Sequence, residues 1–287
     1  MFKNMRVCVV ALLGLLIPAG LVGEETGDGD PYLLATINEV NGVLRAEWMD
    51  LRAEWMDQRL AVQQVDVLRV GSGGGGARLF RKPFRWVADD ARRGAVGNDL
   101  NYLVDKDDAF GLPPGAEQAI DAAMSTWQDD SCVRKVGFVK AESQGDADLF
   151  DARFGYGSPG DYRLADVVHA GWMPSEFFET VTGPGGGKSV VALSVTFIFV
   201  TADGVPSDLD RDGYLDTAHN EIYYNAAFFE QGKVDLESVA LHELGHSLAL
   251  GHVEPPPKAV MNPIYEGLRR ELSAVDHAAL CTVWGAW

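Results

Sequence analysis

The sequence predicts an α+β fold, and three patterns carry that prediction. Asn98 to Val104 alternates as a strand does. Pro113 then opens a helix with an apolar stripe of Ala116, Ile120, Ala123, Met124 and Trp127. Val190 to Thr201 is a long apolar run suited to the centre of a sheet. With 287 residues the chain can form one large domain or two small ones, and its apolar share is that of a globular core.

Met1 to Gly23 predicts a secretory signal peptide. Lys3 and Arg6 form a basic start, Val7 to Ile17 an apolar stretch, and Ala19, Gly20 and Gly23 offer small residues for cleavage. A membrane anchor is the alternative, but the run is short for a span and Pro18 interrupts it. Export leaves Cys132 and Cys281, either paired in a disulfide or as two buried thiols. The net charge of −18, which loss of Lys3 and Arg6 makes more negative still, argues against nucleic acid or an anionic membrane as a partner. The expectation is a secreted monomer with no membrane contact after cleavage of the signal.

Residues 24–95 predict an N-terminal extension. After the acidic stretch Glu24 to Asp30, Tyr32 to Val70 is rich in Leu, Ala, Glu, Arg and Gln, with no Pro and one Gly, which favours helix. It contains a tandem heptad, Leu44 to Asp50 repeated at Leu51 to Asp57, too short for a coiled coil. Gly71 to Gly76 predicts a flexible linker and a boundary, and Arg78 to Arg93, basic and aromatic, a loop laid across the acidic domain beyond it.

Beyond residue 96, Ala147 to Phe154 alternates like a strand, Gly155 to Gly160 is a loop, Leu164 to Trp172 is another strand and Gly183 to Gly187 a turn. Asp208, Asp210, Asp212 and Asp216 surround Gly213 with the spacing of a calcium loop, but His219 stands where an EF-hand has its Glu. A calcium site with substitute ligands and a solvated acidic turn both fit. Glu221 to Asn225 predicts a strand, Asp235 a helix cap, and Arg269 to Cys281 a C-terminal helix in which His277 is not a ligand.

The chemistry is concentrated between Ser238 and His252. On a helix, His242 and His246 lie one turn apart and present two imidazoles to one point, while Glu243 is rotated off that face. His252 supplies a third nitrogen and leaves a fourth position open, which is the donor set of a catalytic rather than a structural zinc. Glu243 is then the candidate general base. A different third ligand, Glu266, stands twenty residues beyond His246 but follows a proline turn rather than lying on a helix.

The segment His242 to His252 resembles the metzincin signature HExxHxxGxxH, and Ala259 to Tyr265 resembles the Met-turn and pocket wall of matrixins. One departure is Ala249, where most of the family has Gly; if this residue is left-handed, its Cβ costs about 1–2 kcal/mol. The resemblance covers residue 96 to the end. It implies a zinc endopeptidase with a twisted, mixed five-stranded sheet packed on two long helices, plus a C-terminal helix. It also implies that Met261 forms a floor under the zinc and that Pro263 and Tyr265 wall the pocket for the residue after the cut. Val168, His169, Ala170, Gly171 and Trp172 would be the edge strand that pairs with an extended peptide substrate. In the family a His at the position of His169 helps hold a structural zinc; here only Asp161 accompanies it, and His169 is expected to be structural. No Cys lies between the signal and this domain, so a thiolate latch cannot operate, and residues 24–95 are expected to be an extension or a pro-region that blocks the cleft by another route. The alternative is a zinc-binding scaffold or adhesin that has lost activity, which Ala249 alone supports.

Overall fold

The computed structural model describes residues 28–47, 59–71, 75–93, 97–105, 113–142, 149–156, 165–230, 232 and 234–285. The stretch expected to be an export signal, with Cys8, the second heptad copy and Asp161 lie outside the described residues. In chain order the elements are β1 (Asp28–Gly29), α1 (Pro31–Glu47), β2 (Arg59–Arg69), β3 (Gly75–Arg78), β4 (Phe84–Arg85), β5 (Leu100–Val104), α2 (Ala116–Gln128), β6 (Phe138–Lys140), β7 (Val167–Met173), α3 (Ser175–Thr182), α4 (Gly186–Ser189), β8 (Val190–Val200), β9 (Leu215–Asn225), α5 (Ala226–Phe229), α6 (Leu236–Ser247) and α7 (Ala274–Trp284).

The expected five-stranded mixed sheet is present as β6-β5-β7-β9-β8, parallel throughout except for β8. It does not stop there. β2, β3 and β1 continue it beyond β8, and β4 pairs with the start of β9, giving nine strands among the described residues. One face carries α2, α6 and α7 over a core that includes Trp127, Trp172, Leu244 and Met261. The opposite face carries α1 and α3 over Phe177, Val195 and Phe197. Burial on both faces explains why β8 and β9 are buried at every position and why Val190 to Thr201 is mostly apolar. The stripe on α2 is buried at all five expected positions.

Three expectations are corrected. The helix predicted to Val70 ends at Glu47, and Arg59–Arg69 is a strand. Leu33, Ile37, Val40 and Leu44 keep the helical period, but Leu60 and Val62 face one core and, after a bulge between Val62 and Gln64, Val65 and Val67 face it again. That shift breaks the period of two, which together with Leu, Gln and Arg hides the strand. Of the linker expected at Gly71 to Gly76, Gly75 and Gly76 lie in β3, pairing with Val67 and Asp66 of β2. A Cβ on Gly76 would lie 2.6 Å from Val65 O and 2.9 Å from Asp66 Oδ1, so this residue serves close strand approach. Of the strand predicted at 147–154, the described part, from Leu149, contains a 3₁₀ turn at Asp151–Phe154 instead.

The C-terminal helix starts later than predicted, at Ala274, behind a reciprocal capping box of Ser273 and Asp276. Cys132 and Cys281 are joined by a disulfide with Cα atoms 5.1 Å apart, tying α7 to the end of α2. No helix among the described residues is long and apolar enough to cross a membrane. Because the disulfide closes a loop of 149 residues, Cys132→Ser combined with Cys281→Ser is expected to lower the unfolding free energy by about 2–5 kcal/mol, read as a lower urea midpoint than the oxidised parent.

Candidate metal centre and peptide groove

Asp235 starts α6 by accepting the Ser238 amide at 3.0 Å, as expected of an N-cap. The helix ends in a Schellman arrangement: Ala249 N donates to His246 O at 2.9 Å and Leu250 N to Gly245 O at 2.9 Å. Ala249 occupies the left-handed position, with φ 66°. Three tryptophans secure the helix through backbone oxygens. Trp127, Trp86 and Trp284 donate their indole N–H to Leu241, Ser247 and Leu248 at 2.8, 2.7 and 2.9 Å.

The imidazoles are aimed by their other nitrogens. His242 Nδ1 lies 2.7 Å from Val260 O and His246 Nδ1 2.8 Å from Leu250 O. A carbonyl only accepts, so both Nδ1 atoms carry the hydrogen and both Nε2 atoms present lone pairs. Those lone pairs face each other at 3.2 Å. Two nitrogens about 2.05 Å from one tetrahedral metal would be about 3.3 Å apart. The Nε2 of His252 has no hydrogen-bond partner among the described residues, and the ligand atoms of all three histidines lie within 4.8 Å of one another. The donor set therefore fits zinc. Glu266 is directed instead to Arg269 at 2.6 Å and does not join the three.

Glu243 is wholly buried, and neither carboxylate oxygen has a partner among the described residues. Burial, and then the nearby Asp66 charge, pushes its carboxyl well above the ordinary value. Burial lowers His242 well below the usual histidine value and brings His246 and His252 down to about 4, so all three stay neutral, as ligands must be. Beneath the site, Met261 is buried against the helix, and any Cβ on Gly245 would collide with its Sδ. Asp276 accepts the amides of Val260 at 2.9 Å and Met261 at 3.1 Å, so the cap of α7 holds the turn that orients His242. Tyr265 is tied back by its hydroxyl, which accepts from Asp235 N at 2.8 Å.

The family model for matrixin matches residues 97–285. The chain belongs to the matrixin family. No curated protein matches it. Matrixins are zinc metallopeptidases, and the His242, His246 and His252 cluster is the candidate site for that zinc. The matched stretch begins after β4, so β1 to β4 and α1 lie outside the matrixin part, whose outer strand is β8.

Several expectations drawn from the matrixin resemblance fall elsewhere. β7 is not an edge strand: it lies between β5 and β9, parallel to both, with Val168, His169, Gly171 and Trp172 buried. A bulge between His169 and Trp172 sets Ala170 and Gly171 out of register. An internal strand offers no free edge to which a peptide could add. His169 is buried with Nδ1 2.7 Å from the Tyr224 hydroxyl, while Asp161, its expected companion, lies outside the described residues. In the acidic loop Asp208, Asp210 and Asp216 offer oxygens within 4.8 Å of one another, but Asp212 is paired with Arg85. Asp216 also meets Arg92 at 2.6 Å. His277 pairs with Asp130 at 2.7 Å.

Asp66, Asp276, Trp86 and Trp284 went unnoticed in the sequence, and Trp127 was read only as part of an apolar stripe. Only Asp66 carried a signal, a lone carboxylate in the apolar run Val65 to Leu68. Its Oδ2 sits 3.6 Å from His246 Nδ1, and burial pushes its carboxyl up.

Two outcomes are expected. Ala249→Gly relieves the left-handed Cβ at the cost of a more flexible unfolded chain, so the denaturation midpoint should rise by a few tenths to about 1 kcal/mol equivalent with the metal affinity unchanged. Burial holds His169 neutral down to about pH 3, whereas in an unfolded chain it takes a proton near 6.5. The stability it contributes is complete above about pH 6.5 and is lost as pH falls towards 3. In metal-free protein, His169→Gln should make unfolding free energy between about pH 6 and 4 less steep by about 1.4 kcal/mol per pH unit; an unchanged slope would refute the assignment.

Proposed function

We propose that the chain is a secreted zinc endopeptidase that hydrolyses extended polypeptides, with Glu243 as general base. The observation that carries the reading is the pair of Nε2 lone pairs held at 3.2 Å beside a partnerless Glu243. When bound, zinc supplies Lewis acidity and a water acidic enough to lose a proton near neutral pH. Glu243 takes that proton on a carboxylate oxygen and returns it to the leaving amine nitrogen.

The substrate backbone is proposed to add as a strand to β8, not β7, with its other edge against residues 263–265 and the side chain after the cut beside Tyr265. We also assign the acidic loop as a structural calcium site of Asp208, Asp210 and Asp216; Asp208 Oδ1 is buried with no partner among the described residues, and Arg85 pairs with Asp212. Secretion rests on the signal at residues 1–23.

Glu243→Gln should keep about one equivalent of zinc while hydrolysis of a protein substrate falls on the order of 10²–10⁴-fold. Metal content and chelator-sensitive cleavage would be measured together, on the full chain and on any processed form it yields. Bound zinc without Glu243-dependent cleavage would favour the inactive scaffold.

A further inference from the structure

The structure assigns β2 as an internal occupant of the peptide groove: residues Asp66 to Arg69 lie where a substrate would, with Leu68 in the pocket, and keep the folded chain latent. That the groove is a peptide groove rests on the proposed peptidase function; the occupancy rests on the strand itself.

Four observations converge on these four residues. β2 runs antiparallel to β8, with Asp66 opposite Ser194 and Leu68 opposite Ala192. On its other side Arg69 bridges in parallel to Ile264: Tyr265 N donates to Arg69 O at 2.8 Å and Arg69 N to Pro263 O at 3.4 Å. A strand gripped by both rims leaves neither free for a second one. Leu68 is 2% exposed and lines a pocket with His242, Val260 and Tyr265, in the position of a side chain following a cut. Two residues earlier, Asp66 lies 3.6 Å from His246 and adds an anion beside the cation site.

The consequence is visible at the catalytic groups. His242, Glu243 and His246 are 2%, 0% and 0% exposed, although the proposed reaction requires water and a peptide at Glu243. The segment responsible comes from outside the matched part of the chain, and β8 would otherwise present an unpaired edge. Because the occupant is tethered, it competes at an effective concentration in the millimolar range without a diffusional search. The observed affinity of any substrate is reduced by the fraction of chains in which β2 has left. Leaving is not a matter of one side chain. β3 pairs with β2 over four positions and α1 packs on it, so the hairpin and helix would be displaced together. Leu68 also indicates what the pocket takes: a branched aliphatic side chain, presented on an extended backbone.

The test uses the full chain and, as probe, a fluorescein-labelled peptide of this chain's own residues Gln64 to Arg69. Leu68→Asp places a charge in the apolar pocket and should tighten probe binding on the order of tenfold or more while amide hydrogens of β2 lose protection and those of β9 keep it. Leu68→Ala should do the same to a smaller extent and serves if the Asp variant does not fold. In the parent, saturating probe should expose the β2 amides to exchange, since two strands cannot hold one groove. Probe bound to the parent with β2 still protected, or unchanged affinity in a variant whose β2 amides have been released, would overturn the assignment. Hydrolysis is scored separately. A released variant that binds the probe but shows no cleavage abolished by Glu243→Gln would leave β2 as the occupant and remove the peptidase reading instead.

Discussion

Two imidazole lone pairs facing each other at 3.2 Å repel unless a cation lies between them, and much of the structure serves to hold them there. Each ring is fixed by a carbonyl on its far side, and each carbonyl by something further out. Val260 O is set by the amides on either side of its peptide, which Asp276 binds from the start of α7. Leu250 O is set by the Schellman turn that closes α6. Val253 and Asn262 join the strand of chain carrying His252 to the Met261 turn, through Val253 N to Met261 O at 2.7 Å and Asn262 Nδ2 to Val253 O at 2.7 Å. The disulfide at Cys132–Cys281 and the indole of Trp284 anchor α7 itself. Disturbance of α7 would therefore reach His242 through the Asp276 carboxylate and the Val260 peptide.

The second constraint is the edge of β8. Among the described strands of the matched region this one alone is antiparallel and stands at an edge, so it offers a row of amides and carbonyls for pairing. A peptidase needs that row for extended substrates, yet an unpaired apolar strand of eleven residues is also an invitation to aggregation. β2 answers both demands in one chain. It covers the edge with matching alternation, Val65 and Val67 towards one core and Asp66 and Leu68 towards the metal side. The covering segment is thus built of the same elements as the ligand it would displace.

What could be seen in the sequence depends on the range of the interactions involved. His242, Glu243 and His246 lie on one helix capped by Asp235, with His252 shortly past its end, and their spacing alone brings them together. The stripe on α2 was legible for the same reason. β2 was not, because its bulge breaks the alternation and because pairing with β8 joins residues more than a hundred apart. The role of β7 was misjudged because a strand buried between two parallel neighbours and an edge strand share an apolar pattern; only the pairing tells them apart. Asp212 separated from its neighbours through Arg85, a residue remote in sequence.

Ala249 shows how a local departure can leave a site intact. A left-handed Ala costs about 1–2 kcal/mol, against a typical folding free energy of about 5–15 kcal/mol. Relaxing it would require φ to leave the left-handed region, which would break the bonds from Ala249 N and Leu250 N to the helix and carry Leu250 O away from His246. The strain is held in place by the same contacts that orient the second histidine. It accordingly lowers the stability of the whole fold rather than the precision of the triad. The ligand atoms of His252 remain within 4.8 Å of those of His242 and His246, so the substitution that alone favoured an inactive scaffold no longer argues for one.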